Sequence, residues 1–164
     1  MTDVEIMKVV RPAIRAGDTE KALEIIGADK SRLEMMTPFG TWLHVAAAFG
    51  RLEIVRRLVA MGADVDRRGG TFGGSPINNA ASNGHLEVVE FLLECGASLD
   101  VSEPERNPLF SAIHGGHTAV AKILIDRGID TKIAYTGPSM KSMTALAFAH
   151  EWGRKDIAAL LADS

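Results

Sequence analysis

The chain contains 164 residues, of which 46% are hydrophobic and 24% are charged. This balance is typical of one soluble globular domain and excludes a disordered chain, which would lack the apolar surface to offset its conformational entropy. The net charge is −3 and no basic cluster extends beyond Arg67 and Arg68, which argues against binding to nucleic acid or to an anionic membrane. The single cysteine, Cys95, and the absence of a signal peptide or of an apolar run of about 18 residues predict a cytoplasmic protein.

Glycines recur along the chain at a nearly constant distance, which indicates an internal repeat. One series, called here the marker glycines, is spaced by 33, 34, 32 and 37 residues and consists of Gly17, Gly50, Gly84, Gly116 and Gly153. A second series consists of Gly62, Gly96 and Gly128. Because glycine is the usual left-handed residue at a helix end, each unit predicts two short helices separated by its marker glycine. The composition of 22 alanines and only 5% aromatic residues agrees with closely packed helices.

The predicted helices begin at residues that suit an N-terminus. In the first unit, Thr2 and Glu5 form a capping-box pattern, and Pro12 falls inside the helix. In the later units the predicted N-cap residues are Thr41, Ser75, Asn107 and Thr144. Apolar residues at a period of 3.6 predict the second helices around 54–59, 88–93, 120–125 and 157–161. A longer loop is expected around Tyr135 to Lys141. No unit can bury its apolar face alone, so the units must stack.

Two segments carry a family resemblance: TWLHVAAAFGRLEIV at 41–55 and SPINNAASNGHLEVV at 75–89. Together with the tails MGADVD at 61–66 and CGASLD at 95–100, they resemble ankyrin repeats. The resemblance implies an all-α ankyrin-repeat solenoid of paired helices, with β-turn fingers and a concave binding face. It predicts a single domain over residues 1–164, with repeats at approximately 3–35, 36–69, 70–101, 102–136 and 137–164.

Features that suggest a chemical site have simpler structural explanations. His114 and His117 form an i, i+3 pair, but no third and fourth metal ligands accompany them. The Gly-rich segment 69–74 lacks the ending of a phosphate-binding loop and suits a finger that needs permissive backbone angles. Cys95 has no histidine fixed beside it by the sequence, so we expect a packing residue. No catalytic, cofactor-binding or metal-binding residue is predicted.

The resemblance instead implies a partner-binding surface. In ankyrin arrays the contacts usually come from the fingers and from the two residues before each marker glycine. The candidate residues at these positions are Phe49, Phe72, Asn83, Glu103, Arg106, His114, Lys141 and Trp152. Aromatic residues and arginine dominate interface hot spots, which favours Phe72 and Arg106. Two separate alternatives stay open. The first is that Phe49, Phe72 and Trp152 cover a neighbouring helix, and the second is that the segment 103–106 is only a solvated loop.

The predicted function is therefore non-catalytic binding of one protein partner through the concave face and fingers. A chain made only of repeats favours an inhibitor that covers its partner. Its fingers are similar to those of small bacterial ankyrin antidotes, which favours an immunity protein that neutralises a cognate toxin or enzyme. The alternatives are a general adaptor or scaffold, and a binder of a small molecule or nucleotide that uses the Gly-rich finger. The charged side chains of the last unit, at 154–156, favour a monomer in the free state.

Overall fold

A computed structural model describes all 164 residues. It contains ten α-helices and one two-stranded hairpin. The helices are α1 (Asp3–Ala16), α2 (Thr19–Gly27), α3 (Trp42–Ala48), α4 (Leu52–Ala60), α5 (Pro76–Ser82), α6 (Leu86–Glu94), α7 (Pro108–Gly115), α8 (Thr118–Asp126), α9 (Ala145–Glu151) and α10 (Lys155–Ala162). The strands are β1 (Tyr135–Gly137) and β2 (Met140–Met143). No helix is both long enough and apolar enough to cross a membrane.

The helices form five antiparallel pairs that stack in two layers. The odd-numbered helices pack side by side from α1 to α9, and the even-numbered helices form the second layer from α2 to α10. One hydrophobic core runs through both layers, and alanines such as Ala46, Ala80 and Ala112 are fully buried in it. These small side chains let neighbouring backbones approach closely. The predicted helical solenoid is confirmed.

The helices begin where the sequence predicts. Thr2 is the N-cap of α1: its hydroxyl accepts from the Glu5 amide, and the Glu5 carboxylate accepts from the Thr2 amide at 2.6 Å. Thr41, Ser75, Asn107 and Thr144 are the N-caps of the first helices of the later units. Pro12 lies within α1 without ending it.

The first helix of each unit ends one or two residues before its marker glycine, which has a positive φ. In the first four units, the next unit completes that helix end. The residue after each later marker glycine donates to carbonyl oxygens at the C-terminus of the first helix of the preceding unit. The pairs are Arg51 with Arg15, His85 with Ala48, His117 with Ser82, and Arg154 with Ile113 and His114. Helix C-termini leave four carbonyls without intrahelical partners, so this carbonyl ladder satisfies groups that would otherwise be orphaned.

Four fingers connect the helix pairs: finger 1 (residues 28–41), finger 2 (61–75), finger 3 (95–107) and finger 4 (127–144). Side chains tie each finger to the next, as where Asp66 accepts from the Ser98 amide and hydroxyl and Arg68 pairs with Asp100 at 2.7 Å. Finger 4 is the longest of the four, as the longer loop expected around Tyr135 to Lys141 predicts, and within it β1 and β2 form an antiparallel hairpin.

Candidate functional site: a groove between the fingers and the first helices

Two cavities lie side by side on the surface formed by the odd-numbered helices and the fingers. The first has a volume of ≈ 230 Å³ and the second ≈ 240 Å³. They share four wall residues, Phe72, Ser82, Glu105 and Ser111, and therefore form one groove. The groove lies on the face that the repeat pattern assigns to partner binding.

A cation, the guanidinium of Arg11, lines the first cavity on the side of the first repeat. Arg11 of α1 places its guanidinium carbon 4.2 Å from the ring centre of Phe39 in finger 1 and 5.7 Å from that of Phe49. Both distances allow attraction between the guanidinium and the ring faces. The chain thus fills this aromatic site with an arginine of its own.

The second cavity is more apolar and has aromatic walls from three repeats. Phe72 reaches it from finger 2, Phe110 from α7 and Phe148 from α9, and Met140 of β2 completes the apolar wall. The Phe110 and Phe148 rings stack at 4.8 Å between centres, and Tyr135 meets the edge of Phe110 at 5.1 Å. Phe72 is 72% exposed, so its ring lies free at the mouth of the cavity.

One carboxylate, that of Glu105, lies in the walls of both cavities without a partner. The four ion pairs of the protein do not include Glu105, and its carboxylate accepts no hydrogen bond from another residue. Its neighbour Glu103 is different, because Glu103 pairs with Arg106 at 3.5 Å. The groove therefore presents one uncompensated negative charge beside aromatic rings.

Buried polar side chains fix the fingers that build the groove. His44 Nδ1 accepts from the Thr41 amide at 3.1 Å, and its Nε2 reaches the Gly74 carbonyl of finger 2 at 3.1 Å. These contacts are satisfied together when the neutral ring carries its proton on Nε2. Asn78 has the equivalent role one repeat later: it accepts from the Ser75 amide and donates to the Arg106 carbonyl of finger 3.

The burial of His44 makes the stability of the fold depend on pH. Burial lowers the pKa of His44 below its ordinary value of 6.5, because the charged ring is poorly solvated there. The unfolded chain then binds a proton more readily than the folded protein. The contribution of neutral His44 to stability is therefore complete above pH ~6.5 and is lost as the pH falls from there towards the lower pKa of the folded state. We expect the wild type to lose stability between pH 7.5 and 5.5, as measured by urea denaturation.

The variant His44→Asn isolates this effect, because asparagine is what the next repeat uses at the same position. We expect H44N to be less stable than the wild type at pH 7.5 but to lose less stability on acidification. Equal pH dependence of the two proteins would contradict the assignment to His44.

Three of the eight predicted partner-binding residues line the groove: Phe49, Phe72 and His114. Phe49 is half-buried beneath Arg11, whereas His114 is exposed and meets the edge of the Trp152 ring at 4.4 Å between centres. The structure thus brings together residues from finger 2 and from the ends of α3 and α7.

The other five predicted residues lie beside the groove rather than in its walls. Asn83 is exposed and donates to the Asn79 carbonyl, and Lys141 is exposed on β2. Trp152 is 45% exposed and packs against Phe148 at 5.9 Å between ring centres. Glu103 and Arg106 pair with each other.

The side chain of Arg106, a predicted hot spot, is not free to meet a partner. Its side chain is only 25% exposed and its Nε is buried without a partner. A reversal to glutamate would place a carboxylate beside Glu103, so we expect Arg106→Glu to lower stability and not to act as a pure interface variant.

Two further groove residues, Ser82 and Met140, lie at positions where the repeat pattern predicts contacts. Sequence reasoning missed Arg11, Phe39, Asn79, Glu105, Phe110, Ser111 and Phe148. Phe148 carries a signal that was available, since it lies four residues before Trp152 and so shares its helix face. Glu105 carries none, because its direction depends on the short 3₁₀ turn Pro104–Arg106.

The other features singled out in the sequence have local structural roles. His117 donates to the Ser82 carbonyl, and no group of three or more His, Cys, Asp or Glu side chains lies close enough to hold a metal ion. In the Gly-rich finger, the Gly69 amide donates to the Gly74 carbonyl, and a Cβ on Gly69 would lie 3.0 Å from the Gly40 Cα. Fingers 1 and 2 therefore approach closely because Gly69 has no side chain. The expectation that Cys95 is a packing residue is wrong: Cys95 is exposed and free, because it lies at the C-cap of α6, outside the buried face of that helix.

Comparisons with known proteins agree with this architecture. A search of curated proteins gives no match. Residues 43–93 match the family described as ankyrin repeats (many copies), and residues 77–164 match ankyrin repeats (3 copies), which is more than half of the chain. The chain therefore belongs to the ankyrin repeat family, whose members are generally modules for protein–protein interaction and typically non-catalytic.

Proposed function

We propose that this protein inhibits a single protein partner by covering it with the groove and the fingers, as an immunity protein covers its cognate toxin. The observation that carries the proposal is the groove itself, with the exposed Phe72 ring at its centre and the uncompensated Glu105 carboxylate beside it. An exposed aromatic ring surrounded by polar groups is typical of a hot spot for protein binding.

The rigidity of the groove supports the same function. Finger 2 is held by His44, finger 3 by Asn78, and finger 4 by Tyr135, whose hydroxyl donates to the Val101 carbonyl at 2.8 Å. A binding surface that is ordered before the encounter loses little conformational entropy on association. Tight inhibition benefits from a binding surface ordered in advance, so the hydrogen bonds between the fingers favour an inhibitor. We propose that it acts in the cytoplasm.

The test is association with the product of a neighbouring gene. We expect the purified pair to form a complex at micromolar concentration, measured by calorimetry and size-exclusion chromatography, and co-expression to protect cells from the partner. A pair that neither associates nor gives protection would overturn the inhibitor proposal.

Phe72→Ala is the sharpest variant for this test. Truncation of a hot spot costs about 2 kcal/mol, so we expect the affinity to fall about 30-fold, measured by calorimetry. The melting temperature should not change, because the ring is 72% exposed. Val4→Ala, which truncates an exposed apolar side chain outside the groove, is the control and should change neither quantity. If Phe72→Ala unfolds the protein, Phe72 is a structural residue.

A further inference from the structure

We infer that the second cavity of the groove binds an arginine side chain of the protein partner. The inference rests on the proposed function, because it names the chemistry that the groove recognises. Its first support is composition: the rings of Phe72 and Phe148 and one carboxylate, that of Glu105, line the same space, together with the buried Phe110. Ring faces attract cations, and a carboxylate accepts two hydrogen bonds from the planar guanidinium.

The second support is the unbalanced charge. Glu105 has no ion pair, although Arg106 is its neighbour in sequence and pairs with Glu103. No lysine or arginine lines this cavity. A positive side chain of a partner would therefore meet a carboxylate that has no competing cation within ion-pair distance.

The third support is a precedent within the same groove. In the first cavity Arg11 lies over Phe39, a finger residue, and Phe49, the residue after α3. The second cavity is also lined by one phenylalanine from a finger, Phe72, and one from a helix, Phe148, but no arginine of the chain lines it. The groove thus contains one aromatic site that the protein fills itself and one that stays open.

The size of the cavity also suits one side chain. Its volume of ≈ 240 Å³ is well above that of a water molecule, about 30 Å³, and below the roughly 300–1,000 Å³ typical of pockets for small-molecule ligands. The apolar walls of Met140 and Pro104 can contact the methylene groups of an arginine while its guanidinium meets the rings and Glu105. Arginine is favoured over lysine because its planar head is less strongly hydrated and stacks on rings.

The experiment uses three small probes: N-acetyl-arginine methylamide, its uncharged citrulline analogue of the same shape, and the lysine analogue. Binding to the intact protein is followed by NMR, through the Met140 methyl and the Phe110 and Phe148 ring signals. We expect the arginine probe to bind at least about fivefold more tightly than the citrulline probe, and more tightly than the lysine probe.

Two matched variants assign the selectivity. Glu105→Gln keeps the shape of the side chain and should reduce the preference for arginine over citrulline, leaving only the part that the aromatic rings supply. Glu103→Gln removes the neighbouring carboxylate, which does not line the cavity, and should leave the preference unchanged.

Equal binding of arginine and citrulline to the wild type, preference for lysine, or a selectivity that Glu105→Gln leaves undiminished would overturn the inference. None of these results affects the inhibitor proposal, which the neighbouring gene product tests separately. Conversely, a failure of that pair to associate would not change the selectivity measured with the probes.

Discussion

Replacing Leu92 by alanine is expected to lower the free energy of unfolding by about 2–5 kcal/mol. Leu92 is fully buried in α6, at the centre of the stack, where α6 packs against both α4 and α8. The substitution removes three carbon atoms and leaves a cavity that the surrounding helices fill only in part. Urea denaturation followed by circular dichroism measures the effect.

Leu93→Ala is the matched control for this variant. Leu93 is the next residue of the same helix and is only partly buried, so the same change of side chain should cost clearly less stability. A Leu93→Ala effect as large as that of Leu92→Ala would contradict the assigned faces of α6.

The second large effect is expected at Gly84. Its φ is +74°, and a Cβ there would overlap the imidazole ring of His117. Gly84→Ala must therefore both strain the backbone and displace His117 from the Ser82 carbonyl. Gly96 has a φ of +85° but open space around its Cβ position, so Gly96→Ala adds only backbone strain and no steric overlap.

We expect Gly96→Ala to cost about 1–2 kcal/mol of stability and Gly84→Ala to cost about 1–3 kcal/mol more, measured by urea denaturation. The double variant Gly84→Ala, His117→Ala should lose less than the sum of the two single variants, because the overlap disappears with the ring. Equal effects at Gly84 and Gly96, or simple additivity, would contradict a close contact between Gly84 and His117.

The fold could be predicted because its signals are local and recur. Thr41, Ser75 and Asn107 stand at helix starts, and the marker glycines provide a backbone conformation that other residues rarely adopt. The strands of finger 4 were not predicted. Fingers 1 and 2 each have a single antiparallel bridge just before the N-cap, Thr37 with Gly40 and Gly69 with Gly74, and the longer finger 4 extends this pairing into two strands.

The groove could be predicted only at its centre. Phe72 stands out because a large apolar residue between glycines on a finger has no place in the core. Glu105, Met140 and Phe110 enter the walls because fingers 3 and 4 and α7 converge from different repeats. A sequence window shows Glu105 close to Glu103 and Met140 beside Lys141, but not which member of each pair faces the groove. That choice depends on how the fingers turn after the repeats have stacked.

The carbonyl ladder gives the stack a direction. Each first helix from α1 to α7 receives its C-terminal donors from the unit that follows it in the chain, so the two ends of the protein are not equivalent. Within this ladder, loss of the last unit would leave the C-terminal carbonyls of α7 without their donor Arg154. Loss of the first unit would leave no carbonyl unsatisfied and only Arg51 without its acceptor. During synthesis, the C-terminal carbonyls of each first helix from α1 to α7 therefore obtain their donors only after the next unit has emerged from the ribosome.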